Sequence, residues 1–236
     1  MDQEHPAARS LTVGFVPGVT PGKWTRRWAE RLPDIPLTAF QCTEAEQLQI
    51  LRDGRADLSF VRLPVEREGL SLIPLYKELP VVVAPREHDV ALYDDEVPLA
   101  DLAGENFLDP AAVGGAKLGI EVVASGAGVM ILPMSVARLY NRKDVVYRPV
   151  AGAEQTQIGL AWLTERTDET IEEFIGIVRG RTAQSSRQPS VQQEQQDKKA
   201  RKPAGKNPAV KNPAGKGKAA GTRRTPRGRG PQRGRR

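Results

Sequence analysis

The chain has 236 residues, with 35 Lys and Arg against 29 Asp and Glu, 39% hydrophobic and 5% aromatic residues, enough for one or two compact units at about 150 residues each. All twelve Phe, Trp and Tyr residues lie at or before Phe174, whereas residues 188–236 hold 15 Lys and Arg against only Glu194 and Asp197. That segment is therefore +13, and subtracting it from the total of +6 leaves −7 for residues 1–187. A single cysteine, Cys42, forms no intramolecular disulfide and fits a reducing compartment. No apolar run approaches the roughly 20 residues of a membrane span, and the acidic start Met1-Asp2-Gln3-Glu4 is unlike a signal peptide. The expected setting is soluble and cytoplasmic.

From Leu11 onward, short apolar runs alternate with helical patterns. Leu11-Thr12-Val13-Gly14-Phe15-Val16 reads as a buried strand, and Thr20-Pro21-Gly22-Lys23 as a helix start, with Thr20 the N-cap and proline at the first helical position. Trp24, Trp28 and Leu32 then recur every fourth residue as a core-facing stripe, with Arg26, Arg27, Glu30 and Arg31 on the other side. Leu37-Thr38-Ala39-Phe40 is a second strand. Thr43-Glu44-Ala45-Glu46 is a capping box, expected to open a helix that buries Ala45, Leu48 and Leu51. Asp57-Leu58-Ser59-Phe60-Val61 is a third strand.

Strand, helix, strand, helix, strand in this order predicts a parallel sheet with right-handed crossovers. The helix N-termini then point toward a crevice at the carboxyl ends of the strands, where a pocket is expected. Further on come a strand at 71–76, the run Val81-Val82-Val83-Ala84, a charged loop at 86–96 and a short helix at 99–103. A helix ending near Ser125, a strand at 129–132 and a helix at 133–139 follow. Strands at 145–149 and 157–162 lead into a final helix over 168–180, whose Ile171, Phe174, Ile175 and Val178 share one face.

Several phrases in this order resemble the effector-binding (substrate-binding) domain of LysR-type transcriptional regulators of bacteria. Leu11-Thr12-Val13-Gly14-Phe15 is similar to the first strand of that family, and Leu51-Arg52-Asp53-Gly54-Arg55-Ala56-Asp57-Leu58 to the turn into its third. Residues 79–85 are similar to the crossing into its second subdomain, and Leu99-Ala100-Asp101-Leu102-Ala103-Gly104 to its short helix. The most specific likeness is Val122-Val123-Ala124-Ser125-Gly126-Ala127-Gly128-Val129-Met130-Ile131-Leu132-Pro133. The resemblance covers about residues 9–187. It implies an α/β fold of two subdomains, like the type II periplasmic binding proteins, with a ligand cleft between them and no enzymatic activity. The implied organisation is a disordered N-terminus over 1–10 and a substrate-binding domain over 11–187. Its subdomain I is about 11–79 and 150–187, its subdomain II about 80–149, and a tail over 188–236 completes the chain. Side-by-side homodimers are implied as well. Two departures stand out: ten residues before Leu11 cannot hold the family's winged helix-turn-helix, so no specific DNA reader is expected, and subdomain II is short near 110–120.

The remaining motifs divide between chemistry and packing. Gly126-x-Gly128 follows a helix and opens a strand, the reverse of a dinucleotide fingerprint, and reads as a C-cap and turn. Gly18-Val19-Thr20-Pro21-Gly22-Lys23-Trp24 echoes a phosphate loop but is one residue short and ends in Trp24 where a magnesium-binding hydroxyl is needed. The same loop can line an effector site through the Thr20 hydroxyl and the amides of Gly22 and Lys23. Thr43 is expected to join them. Arg62, directly after the third strand, can grip a carboxylate with two bonds; the plainer reading is a surface ion pair with Glu66 or Glu68.

His5 and His88 have no partner at ligand spacing, so no metal and no cofactor are expected, and His88 reads as a solvated loop residue. Cys42 is simplest as a small packing residue, with thiol sensing the sharper alternative. Asp53, Asp57, Asp101 and Asp109 sit at element ends, and no catalytic pair stands out.

The tail carries Lys198, Lys199, Arg201, Lys202, Lys206, Lys211, Lys216 and Lys218, then Arg223, Arg224, Arg227 and Arg229, among Pro, Ala and Gly. In composition it is similar to linker-histone tails. Its sequence predicts a segment without fixed structure when free, binding DNA or RNA by charge and without sequence preference. The reading that unites these features is an effector-binding body with a basic tail, in transcriptional or nucleoid-associated regulation, taking a small anionic molecule and contacting no membrane. Two others stand beside it: a stand-alone small-molecule binder, and a degenerate interaction module with a solubilising tail.

Overall fold

The computed structural model describes residues 9–180. The basic tail, with the lysines and arginines expected to bind nucleic acid, lies outside the described residues, as do residues 1–8. The chain runs through β1 (Leu11–Phe15), α1 (Gly22–Arg31), β2 (Leu37–Gln41), α2 (Gln49–Arg52), β3 (Leu58–Leu63), β4 (Leu70–Glu78) and β5 (Pro80–Pro85). After a 3-10 turn at Asp89–Leu92 come β6 (Val97–Pro98) and a second 3-10 turn at Leu99–Leu102. Next are α3 (Ala116–Ala124), β7 (Met130–Pro133), α4 (Met134–Leu139), β8 (Val145–Ala151), β9 (Thr156–Leu163) and α5 (Glu169–Val178).

These strands form two sheets, ordered β2-β1-β3-β9-β4 and β6-β8-β5-β7. In the first, β1 pairs in parallel with β2 and β3, as the βαβ order requires, and β9 returns antiparallel between β3 and β4. Residues 58–62 of β3 and Ile158–Trp162 of β9 are buried without a break; β9 accordingly reads as a continuous apolar run, whereas β3 buries Ser59 and Arg62 among its apolar residues. In the second sheet β5 is central, antiparallel to both β7 and β8. The halves are joined twice: by Leu79 between β4 and β5, and by residues 152–155 between β8 and β9. No helix among the described residues is long and apolar enough to cross a membrane.

The first core gathers on Phe60. Its ring stacks on Trp24 at 4.6 Å and 17° and meets Phe174 edge-on at 6.2 Å and 72°. Trp28, four residues after Trp24, packs against Phe174 at 5.8 Å and donates Nε1–H to the Ile35 carbonyl at 2.8 Å, so its polar atom is not stranded. The i, i+4 tryptophan pair therefore holds α1 against β3 and α5, and the Arg31–Glu173 ion pair at 2.5 Å ties the two helices.

Two helices depart from the pattern expected of them. At α1 the backbone is already helical at Pro21 (φ −73°, ψ −7°), and the cap position carries no side-chain hydrogen bond. Thr20 is therefore not the cap; the proline, with φ preset, takes that place itself. The Thr43–Glu46 capping box does form, with Glu46 N–H donating to Thr43 Oγ1 at 3.3 Å and Thr43 Oγ1–H to Glu46 Oε2 at 2.8 Å. Yet residues 44–48 are turns, the helix is only Gln49–Arg52, and the buried residues are Ile50 and Leu51 while Ala45 is exposed. The Gln47 side chain, bonded across to the β3 backbone, holds this stretch to the sheet edge. In the second half, the short segment after Pro110 closes by Gly115 N–H donating to the Pro110 carbonyl at 2.7 Å, and the chain beside β7 makes a single parallel bridge, Phe107 with Val129.

Replacing Phe60 by alanine removes the contact shared by both tryptophan-bearing α1 and α5. Urea unfolding followed by tryptophan fluorescence should show a loss of about 3–5 kcal/mol.

Candidate functional site

The register of β3 exposes its end. β1 pairs with β3 only as far as Phe15 opposite Phe60, so Val61 to Leu63 have β9 on one side and no strand on the other. The Gln47 amide fills that place: Arg62 N–H donates to Gln47 Oε1 at 2.8 Å, and Gln47 Nε2–H donates to the Arg62 carbonyl at 3.4 Å. With the strand extended, the period of two puts Arg62 on the face of Leu58 and Phe60.

There the Arg62 side chain, 5% exposed, meets the Glu78 carboxylate, 3% exposed, at the last position of β4. Arg62 Nε–H donates to Glu78 Oε2 at 2.7 Å, and Nη2–H donates to Glu78 Oε1 at 3.3 Å and to the Pro17 carbonyl at 2.8 Å. Nη1–H donates to Glu44. Burial alone disfavours the charged guanidinium, but the Glu78 hydrogen bond and the charges of Glu44 and Glu78 outweigh it and raise its pKa above the ordinary arginine value. The partners expected from the sequence, Glu66 and Glu68, are not the ones used, and Glu66 lies instead 3.4 Å from Arg52. The reason is topological: β9 inserts between β3 and β4, and the arginine reaches across to the far strand.

Glu78 accepts two further bonds, from Thr156 Oγ1 at 3.1 Å and from Ser135 Oγ at 2.5 Å. The network thus joins β3, β4, β9 and α4. Sequence reading missed Glu78, Glu44, Gln47 and Ser135. Glu78 gave no local sign of burial, since an acid beside an apolar run is as readily solvated; its burial is set by the strand pairing.

Beside this network lies a cavity of about 490 Å³ lined by Thr20, Gly22, Lys23, Trp24, Arg26 and Tyr76. It brings together three of the five residues expected to bind an anion. Trp24 N–H and Thr25 N–H both donate to the Pro21 carbonyl, at 2.9 and 3.1 Å, so the preceding amides of Gly22 and Lys23 stand at the positive end of α1 without an intrahelical acceptor. Lys23 Nζ rests 4.2 Å from the centre of the Trp24 ring. Burial, and then the nearby Glu78 charge, raise the Tyr76 phenol pKa against the opposing pull of Arg62, so it stays protonated and able to donate. Two cations, helix amides and a phenol O–H form a set suited to a carboxylate or another small anion. Arg62 and Thr43 are not among the lining residues; Thr43 is bonded to Glu46.

The other singled-out residues serve the fold. Cys42 is buried, its N–H donates to the Phe15 carbonyl at 3.0 Å, and burial followed by the Glu46 charge pushes its thiol pKa up, away from nucleophilic reactivity. His88 is partly buried rather than solvated. Its Nδ1 accepts from Val90 N–H at 3.2 Å, capping the 3-10 turn, and its Nε2 lies 3.1 Å from Glu105 Oε2. Gly126 at φ +84° ends α3, and a methyl on Gly128 would lie 2.3 Å from the Asn106 carbonyl, so this pair makes a tight turn.

Comparison with known proteins agrees with this architecture. Residues 4–116 match the family model of the LysR substrate binding domain. The Hca operon transcriptional activator HcaR of Escherichia coli (strain K12) is 26% identical over 205 residues, covering 74% of this chain and 69% of that protein. Among solved structures, the BenM effector binding domain with its effector benzoate superposes with a TM-score of 0.60 at 18% identity, covering 72% of this chain and 90% of the other. The reduced form of OxyR superposes with a TM-score of 0.60 at 23% identity, covering 75% and 97%. The two-sheet fold is thus the type II periplasmic-binding-protein-like fold of LysR effector-binding domains, and residues 4–116 are similar in sequence to the LysR substrate binding domain.

Proposed function

We propose that this LysR-type body binds a small anionic effector in the cavity at the head of α1, and that the basic tail binds nucleic acid through charge alone. The observation that carries the first part is that Thr20, Gly22, Lys23, Arg26 and Tyr76 line one concavity at the start of α1. Arg62 supports the site indirectly. Its charge is balanced inside the protein by Glu78 and Glu44, so the ligand's anion falls to the exposed cations. Tyr76, 38% exposed, supplies flat apolar surface, which favours aromatic or unsaturated carboxylates. Benzoate, the ligand of the BenM domain, is the natural first probe.

Titration of the full chain with benzoate and small mono- and dicarboxylates should reveal a ligand that, at 100 times its dissociation constant, stabilises the protein by about 2.7 kcal/mol in thermal unfolding. Replacing Lys23 and Arg26 together by alanine should weaken that ligand by roughly tenfold or more, the scale of one charge-assisted hydrogen bond. A series in which no carboxylate shifts the transition would support the degenerate interaction module instead.

For the tail, the support is charge: +13 over residues 188–236 with no aromatic residue to stack on bases. If six to ten phosphates are neutralised, the affinity of the full chain for duplex DNA should fall by roughly 10³ to 10⁵ between 50 and 200 mM salt. Fluorescence anisotropy with two unrelated duplexes should give the same curve for both. Deleting residues 188–236 should abolish the binding; retention of sequence-selective binding would refute the assignment.

A further inference from the structure

Glu78 lies one residue before the first crossing between the two halves of the body, and its bonds fall on both sides of it. Arg62 in β3 and Thr156 at the start of β9 belong to the first sheet. Ser135, in the first turn of α4, belongs to the half built on the second sheet, and its hydroxyl donates to Glu78 Oε1 at 2.5 Å. The surfaces are in direct contact at this point. Gly18, in the loop after β1, faces Ser135 so closely that a methyl there would lie 2.4 Å from Ser135 Oγ and 2.9 Å from its Cβ.

Only a residue without a side chain allows that approach. The Gly18 backbone, at φ +89°, also takes a left-handed conformation open to glycine. Loop, serine and carboxylate are thus fitted to one another across the two halves. Apart from Ser135, the side-chain donors to Glu78 come from the first half. Separation of the halves breaks the Ser135 bond and leaves the rest of the carboxylate's shell in place.

We propose that Ser135 and Glu78 form a latch that holds the two halves closed. The bond is made by a neutral donor to a buried ionised acceptor, so it is strong when closed, and the serine is rehydrated when open. Arg62 is the fixed part of the device: its bidentate grip keeps Glu78 aimed at α4. Gly18 is the stop, setting how closely the halves approach. The latch is independent of where an effector binds, so it stands or falls separately from the cavity assignment.

Hydrogen exchange on the full chain tests it. In Ser135→Ala, peptides over residues 17–20 and 133–137, which face each other across the contact, should exchange roughly tenfold faster or more, in line with loss of a hydrogen bond to a charged group. Peptides over 58–61 in the first core should keep their rates. Glu78→Gln removes the charge partner of buried Arg62 and should accelerate exchange over 58–61 as well, a pattern that sets it apart from the loss of the Ser135 bond alone. Unchanged rates at both contact segments in Ser135→Ala would overturn the latch. Equal acceleration of the core in Ser135→Ala would overturn it too, since that is general destabilisation; the variant removes one partly exposed hydroxyl and leaves the buried charge pair intact.

Discussion

A guanidinium and a carboxylate that are both almost wholly withdrawn from water must be placed together or not at all, because either one alone would cost several kcal/mol. Arg62 and Glu78 meet that constraint from strands that are not neighbours, with β9 between them. The pair therefore requires β3 to run past the end of β1, β9 to enter antiparallel, and β4 to end at the crossing. Gln47 holds the Arg62 backbone, and Pro17, Glu44, Thr156 and Ser135 surround the two side chains with hydrogen bonds. Pairs of this kind contribute little net stability compared with a well-packed apolar substitute, but they penalise wrong arrangements heavily. Here the arrangement specified is the junction of the two halves.

The aromatic cluster places the cavity relative to that junction. Trp24 is committed to Phe60 and Trp28 to Phe174, which fixes the rotation of α1 about its own axis. With the tryptophans turned inward, Lys23 and Arg26 on the first turns are left exposed beside Tyr76. Core packing and the lining of the cavity are thus linked through one helix: the residues that bury it decide which cations face the cavity. The helix dipole acts in the same direction, since the amides at its start carry partial positive charge toward the same concavity.

Charge is divided along the chain between a mildly acidic body and a strongly basic tail. The HcaR alignment spans 69% of that regulator's length and 74% of this chain. Within the body, the cations that line the α1 cavity stand against a negative background. The positive potential there is therefore local, set by where those few side chains are placed.

Much of the fold was legible in order and spacing. The alternation of apolar runs with the Trp24 and Trp28 stripe identified the parallel β2-β1-β3 core, because periodicity reports which face of an element is buried. Thr20, Gly22 and Lys23 were legible as neighbours because a loop between a strand and a helix start presents its amides by local geometry alone. Arg26 lines the same cavity and Thr43 does not, and the difference lies in how α1 packs, which no local pattern encodes. The partners of Arg62 were equally beyond reach. Glu78 is 16 residues away along the chain, Ser135 is farther still, and a carboxylate becomes a partner only once β9 has been threaded between two strands. Local chemistry fixes which backbone groups a segment offers and which side it buries; the pairing of buried charges depends on strand order, and strand order exists only in the assembled sheet.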